Sequence, residues 1–266
     1  MSTNTFENIN KKTVYGPVKS WRFGQSLGID PLFQTSICSF DCIYCQLGKI
    51  QNLTIKRDVY VKTEQVLEDY REVIASNTIV DVITYSGSGE PTLALNLDEM
   101  IKGIGKLSPT IPQNILTNAT TLHLPEVRKT LLSLDKVIVK LDGPTEQLMK
   151  TVNRPAEGVS FESIIEGIRE FRKIYNGALE VQCMLMPLLE KDFEQFFEIM
   201  KSFNPNLVQF NTPSRPYPSS WHRENRGNHE LIFDYKVNWL KELDKTDFEA
   251  MSKVFSEQTG LKVLIK

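Results

Sequence analysis

Long apolar runs are missing from this 266-residue chain. None approaches the roughly 20 residues that a membrane-spanning helix needs. Residues 1–13 are polar, without the apolar core of a secretory signal, and read as a polar tail of a cytoplasmic protein. An excess of one charge is missing too: 31 Lys and Arg stand against 33 Asp and Glu, a net of −2. Nothing global therefore draws the protein to nucleic acid or to a membrane surface. Cysteine is scarce, four in all, with none before Cys38 and three crowded within eight residues. That is not the framework of a secreted disulfide fold, and a reducing compartment suits it. No low-complexity tract, domain boundary or internal repeat stands out beyond a strand–helix alternation. The apolar fraction of 41% still suffices for a core, and an α/β barrel of this length is often one domain.

What is present begins with Cys38-Ser39-Phe40-Asp41-Cys42-Ile43-Tyr44-Cys45, a Cys-x3-Cys-x2-Cys loop. Three thiolates so close together read as a metal site. Structural zinc usually takes its ligands in two pairs, and here only one Cys-x2-Cys pair exists. An iron–sulfur cluster normally takes four cysteines, but three can hold three irons of a cubane and leave the fourth open to a small molecule. Cys183 lies far away and reads as a buried free thiol. A zinc loop on an RNA-binding module is the alternative from another class of function.

Strands and helices alternate along the chain. Residues 32–37 read as a short strand leading into the cysteine loop, followed by a helix capped by Thr63, with Val66, Tyr70 and Ile74 on one face. Further strands are expected at 80–85, 114–117, 136–141, 179–185 and 207–210. The helices between them lie near 97–107, after Pro125, around Phe161–Phe171, and behind an Asp192/Gln195 capping box. Six strands alternating with helices imply a parallel sheet, either a barrel or a doubly wound open sheet. Chemistry then belongs at the C-terminal strand ends. Those ends carry Ser86-Gly87-Ser88-Gly89-Glu90, Thr117-Asn118, Lys140 with Asp142, Met184 with Met186, and Asn211 with Arg215. The two glycines let backbone approach a ligand, and Glu90 offers an acceptor for an ammonium group. Thr117, Asn118, Lys140, Asp142 and Asn211 are candidate ligand contacts, Arg154 a candidate carboxylate fork, and the two methionines packing residues. Beyond residue 216 a different segment holds Trp221, His222, Arg223 and Arg226, the basic three suited to a phosphate or a base edge. A helix carrying Leu231, Ile232, Tyr235 and Trp239 is expected there. A last helix follows, with a Thr246/Glu249 capping box and an end at Gly260, then a strand at 261–265. Lys11, Lys12, Lys19, Arg22, Lys49, Lys56 and Arg57 are candidates for a local basic face at the barrel mouth.

The cysteine loop with Tyr44 before its last cysteine, and the Gly-Ser-Gly-Glu stretch one unit later, resemble the radical SAM superfamily. Residues 15–18, 26–28, 38–48, 86–92, 153–155 and 211–216 are similar to its wyosine-synthetase-like branch, over residues 14–216 in all. The resemblance implies a partial (β/α)6 barrel, with residues 217–266 as a C-terminal helical extension packed on it. It implies a [4Fe–4S] cluster on Cys38, Cys42 and Cys45, whose open iron chelates S-adenosylmethionine. Tyr44 would then back the adenine, and residues 86–90 would fix the methionine moiety. Reductive cleavage would give a 5′-deoxyadenosyl radical that abstracts hydrogen from a substrate. A small electron donor such as a flavodoxin or ferredoxin is the implied partner. The tRNA enzymes of that branch carry a second cluster on three upstream cysteines, whereas this chain has no cysteine before Cys38. The chemistry is therefore expected, while wyosine synthesis is the alternative; tRNA, a peptide and a small molecule stay open as substrates.

Overall fold

The computed structural model describes residues 12–227 and 234–265. Strands β1 (Val14–Ser20) and β2 (Gly24–Ile29) form an antiparallel hairpin, with a bulge between Tyr15 and Val18. The chain continues through α1 (Thr63–Ala75), β3 (Val82–Tyr85), α2 (Leu97–Leu107), β4 (Gln113–Thr117), α3 (Pro125–Leu131) and β5 (Lys136–Lys140). Helices α4 (Glu146–Val152) and α5 (Phe161–Ile174) lead to β6 (Ala178–Met184), α6 (Phe193–Phe203), β7 (Leu207–Asn211), α7 (Lys245–Thr259) and β8 (Val263–Ile265). All eight strands stand in one sheet in chain order, parallel from β2 to β8, and its two edges do not pair. This is a partial barrel with helices outside it. Its core is continuous, from Leu27 and Ile29 through Ile83, Val137 and Val181 to Phe210. Among the described residues no helix is long and apolar enough to cross a membrane.

The structure departs from the sequence reading in places. The first parallel strand is Gly24–Ile29, while residues 32–37 form a loop, buried except at Gln34 and Thr35, of which only Ile37, with Cys38, is extended. Glycine and serine have low strand preference, which hid β2. They are needed because the Tyr15 ring lies on Gly28: a Cβ there would stand 2.2 Å from Tyr15 Cζ. Thr13 is fully buried, its N and Oγ1 donating to Asp69 Oδ2 at 2.7 and 2.6 Å; residues 1–11 lie outside the described residues. Thr63 begins α1 rather than capping it, and donates to Glu99 Oε2 at 2.8 Å. Asp192 makes no side-chain cap bond, and Asp244, not Thr246, caps α7 by accepting from Asp247 N at 2.9 Å. Leu231 and Ile232 lie outside the described residues, and the helix expected around them is not continued at Val237–Asn238, which is a two-residue strand.

Helix α7 docks through aromatic rings. Phe255 meets Phe210 of β7 at 4.9 Å and Phe197 of α6 at 5.4 Å between ring centres, both edge-on. Strand β8 then extends the sheet beside β7.

Candidate active site

Strands β2 to β7 end at one rim. A cavity of about 430 Å³ opens there and runs down the inside of the sheet to Arg22 in the β1–β2 turn. All three loop thiols line it: Cys38, Cys42 and Cys45, none in a disulfide. The loop is pinned from behind by the turn after α4. Asp41 N donates to Asn153 O at 2.9 Å, Ile43 N to Val152 O at 2.9 Å, and Ala156 N to Ser39 O at 2.8 Å. Cys38 Sγ accepts from Phe40 N at 3.4 Å and Asn118 Nδ2 at 3.6 Å, and Cys42 Sγ from Asn153 Nδ2 at 3.3 Å.

Burial pushes the thiols up, Cys42 to about 12 and Cys45 to about 11, with Asp142 and Asp41 respectively adding to it. Cys38 is raised well above the ordinary range by burial and then by Glu90. Holding three thiolates here requires a positive partner, and N–H groups aimed at sulfur suit sulfur that carries negative charge. Among the described residues no three His, Cys, Asp or Glu side chains converge on a single-ion point. A cubane gives each thiolate its own iron, so thiols set apart around one cavity fit it.

Residues 86–90 divide between the cavity and the protein behind it. Ser86, Gly87 and Gly89 line the cavity, whereas Ser88 and Glu90 are buried against the protein. Gly87 and Gly89 hold φ of +151° and +150°, and a Cβ on Gly89 would stand 1.7 Å from Ile37 O. Only glycine lets the loop lie on the strand that leads to Cys38. Ser88 N and Oγ donate to Asp30 Oδ2 at 3.0 and 2.6 Å.

Glu90 does not face the cavity, contrary to its expected place against an ammonium group. Its Oε1 accepts from Thr92 N, Thr92 Oγ1 and Thr117 Oγ1 at 3.0, 2.6 and 2.7 Å, and its Oε2 from Asn118 N at 2.6 Å. Burial raises its pKa against the pull of those bonds. Thr117 and Asn118 thus belong to a clasp beneath the site, and neither lines the cavity.

Asp142 is a second buried hub. Tyr44 OH and Asn153 Nδ2 donate to its Oδ2, the latter at 2.7 Å, and Met184 N to its Oδ1 at 2.8 Å. Lys140 Nζ lies 2.9 Å from Oδ1, close enough for an ion pair but not aligned for a hydrogen bond. The ammonium group also sits 4.9 Å from the Tyr44 ring centre. Lys140, Tyr44, Asn211 and Arg215 line the cavity, and so does Met184, which sequence reading had assigned to packing. Met186 and Cys183 are buried off it, and Arg154 is exposed outside it.

Of the basic residues beyond the strands, Arg223 and Arg226 stand over one ring, that of Phe33, at 5.1 and 5.8 Å from its centre. His222 stacks on Tyr235 at 3.6 Å and contacts Glu224 at 2.7 Å, while Arg226 is buried on Asp30 at 2.8 Å. Lys12 pairs with Glu72, Lys56 with Asp58, and Arg57 with Glu126; Lys11 lies outside the described residues. Sequence reasoning missed Asp30, Asn153 and Gln46. Gln46 Nε2 donates to Asn225 O at 3.0 Å, Asn225 Nδ2 donates back to Gln46 O at 2.8 Å, and His222 N donates to Leu47 O at 2.8 Å. The segment after β7 is thereby tied to the residues that follow Cys45. Only the position of Asp30, directly after a strand, could have signalled its role.

Residues 33–200 match the profile of the Radical SAM superfamily. A UPF0026 protein of Synechocystis is 40% identical over 96% of this chain and 97% of its own length. Among solved structures, SuiB of Streptococcus suis bound to its precursor peptide SuiA aligns with a TM-score of 0.64 at 14% identity. The alignment covers 90% of this chain and 48% of SuiB, so this chain spans about half the length of that protein. TYW1 with a lysine–pyruvate adduct aligns at 0.60 and 15% identity, over 89% of this chain and 74% of TYW1. At such identities the structures speak for the fold alone. With its three cysteines, its partial barrel and these matches, the chain belongs to the radical SAM superfamily, enzymes that use a [4Fe–4S] cluster and S-adenosylmethionine, and to the UPF0026 proteins.

Proposed function

We propose that the protein reductively cleaves S-adenosylmethionine and abstracts hydrogen from a substrate held in the same cavity. The observation that carries this is the convergence of Cys38, Cys42 and Cys45 with the Gly87–Gly89 backbone on one cavity at the strand ends. Cys38, Cys42 and Cys45 would hold the cluster, which, when bound, supplies the electron that breaks the sulfonium to methionine and a 5′-deoxyadenosyl radical. Ser86, Gly87 and Gly89 form the wall for the amino acid moiety, and the Tyr44 ring, fixed through Asp142, the wall for the adenine. Lys140 and Asn211 reach the same space for ribose or substrate. Glu90, Thr117, Asn118 and Asp142 position these groups from behind. Residues 14–216 act as the radical-generating core, and residues 217–266 as an extension whose stretch at 222–227 covers the cysteine loop and excludes water. A flavodoxin or ferredoxin in the cytoplasm is the electron donor that fits. Wyosine-type tRNA modification is the alternative reading; of the basic residues expected at the mouth, Lys12, Lys56 and Arg57 are paired with Glu72, Asp58 and Glu126.

Anaerobic reconstitution of the whole chain is expected to give about four irons per chain and release of 5′-deoxyadenosine with reductant. Cys38→Ala, Cys42→Ala and Cys45→Ala should lose both, and Cys183→Ala neither. A colourless protein holding one zinc, iron near eight per chain, or cluster loss in Cys183→Ala would overturn the assignment. Incubation with pyruvate and methylguanosine-containing tRNA should leave the tRNA nucleosides unchanged by mass spectrometry.

A further inference from the structure

Among the described residues, two arginines line the cavity without forming an ion pair. Arg22 enters from the β1–β2 turn, its guanidinium 4.9 Å from the Phe23 ring centre and 5.6 Å from that of Trp21. Its NH1 donates to Gln209 Oε1 at 2.7 Å, and its buried Nε has no acceptor. Arg215, just beyond β7, donates from NH1 to Gln46 Oε1 at 2.8 Å. Among the described residues neither forms an ion pair with a carboxylate. Each is held instead by a neutral amide oxygen, and each glutamine is oriented by its other end. Gln209 Nε2 is committed to Glu180, itself paired with Lys136, and Gln46 Nε2 to Asn225 O.

The other two cations at the cavity are matched, Lys140 by Asp142 and Arg226 by Asp30. Among the described residues no Asp or Glu lines the cavity. The carboxylates that act on the thiols are Glu90, Asp142 and Asp41. Burial pushes Arg22 down to about 10, with Glu180 opposing and the like charge of Arg215 adding to the fall. Two positive charges near each other in a partly dry space, with most N–H donors unused, are complementary to an oxyanion.

We propose that Arg22 and Arg215 form an anion subsite that takes a carboxylate or phosphate group of the substrate. This rests on the reading of the cavity as the S-adenosylmethionine site, and names the class of molecule that enters beside it. The methionine carboxylate is the other source of the same chemistry. Depth at Arg22 favours the substrate: Gln209, which holds Arg22, lies two residues before Asn211 in β7, roughly 7 Å below the strand end beyond which Arg215 stands. The wall at Ser86–Gly89 is at the rim.

The test uses the reconstituted whole protein and its Arg22→Gln, Arg215→Gln and Arg22→Lys variants. S-adenosylmethionine affinity is read by equilibrium dialysis, and binding of phosphate and of malonate by calorimetry with S-adenosylmethionine saturating. Wild type should bind at least one probe. Each Gln variant should weaken it about 10- to 100-fold, while S-adenosylmethionine affinity changes less than about threefold. Arg22→Lys, which keeps the charge, should retain part of the binding and covers the case in which Arg22→Gln does not fold. Neither probe binding to wild type, or Gln variants that bind like wild type, would overturn the proposal. So would a loss that falls on S-adenosylmethionine, which would reassign the pair to the methionine carboxylate. Failure of the parent reading shows separately, as a wild type that retains no iron or binds no S-adenosylmethionine.

Discussion

Glu90 works through its neighbours. A carboxylate that already accepts from Thr92, Thr117 and Asn118 joins the turn after β3 to the end of β4, and so fixes the backbone of Gly87 and Gly89 at the cavity wall. Glu90→Ala would leave those donors buried without acceptors, at about 1–3 kcal/mol for each that water cannot reach. The variant is expected to lose about 3 kcal/mol or more of unfolding free energy in urea. A simple ligand contact at the surface of the site would change affinity and leave the urea midpoint alone. An unchanged midpoint would therefore return Glu90 to the ligand. The Asp-Gly and Gly-Glu stretches were legible as strand ends. Whether each side chain faced the ligand or the scaffold was not, because that depends on the partner brought from another strand.

At the scale of elements, the C-terminal helix is held by one ring more than any other. Phe255 contacts Phe193, Phe196, Phe197 and Phe210, and is fully buried. Phe255→Ala should cost about 3–5 kcal/mol, and the loss should appear as a lowered midpoint in thermal unfolding. A midpoint within a degree or two of wild type would mean that α7 contributes little to the fold. Helices α2, α5 and α6 were readable from apolar spacing, as were the strands rich in Val, Ile and Leu. The strand β2 was not, since Gly28 serves close packing against Tyr15 of β1, Gly24 the close approach of Asp81, and Ser26 a hydrogen bond to Thr84 of β3. The caps failed similarly: Asp192 and Thr246 match a local pattern, but α6 leads directly out of a 3-10 turn and Asp244 takes the cap of α7. The part of the site built by the cysteine spacing was legible. The part built by Asp30, Gln46 and Asn153 was not, because each acts over a long separation in sequence.

For the whole molecule, the cavity is a place where protons and metal compete. Burial holds Cys42 and Cys45 near 12 and 11, so both are protonated in the cluster-free protein at neutral pH, and so is Cys38. Iron must displace those protons. Iron affinity, measured by competition with a chelator from about pH 7 to about pH 9, should rise by about tenfold per pH unit for each proton released. A flat profile would show thiolates already formed. The strand order has a further consequence, for synthesis. Because each strand pairs with its neighbour in sequence, each βα unit can dock as it leaves the ribosome. The partners of Gln46 arrive 169, 179 and 181 residues later, at Arg215, Asn225 and Gly227. Through that interval the nascent cysteine loop stands uncovered on a barrel that is still being completed, open to whatever delivers iron and sulfide before translation brings the cover.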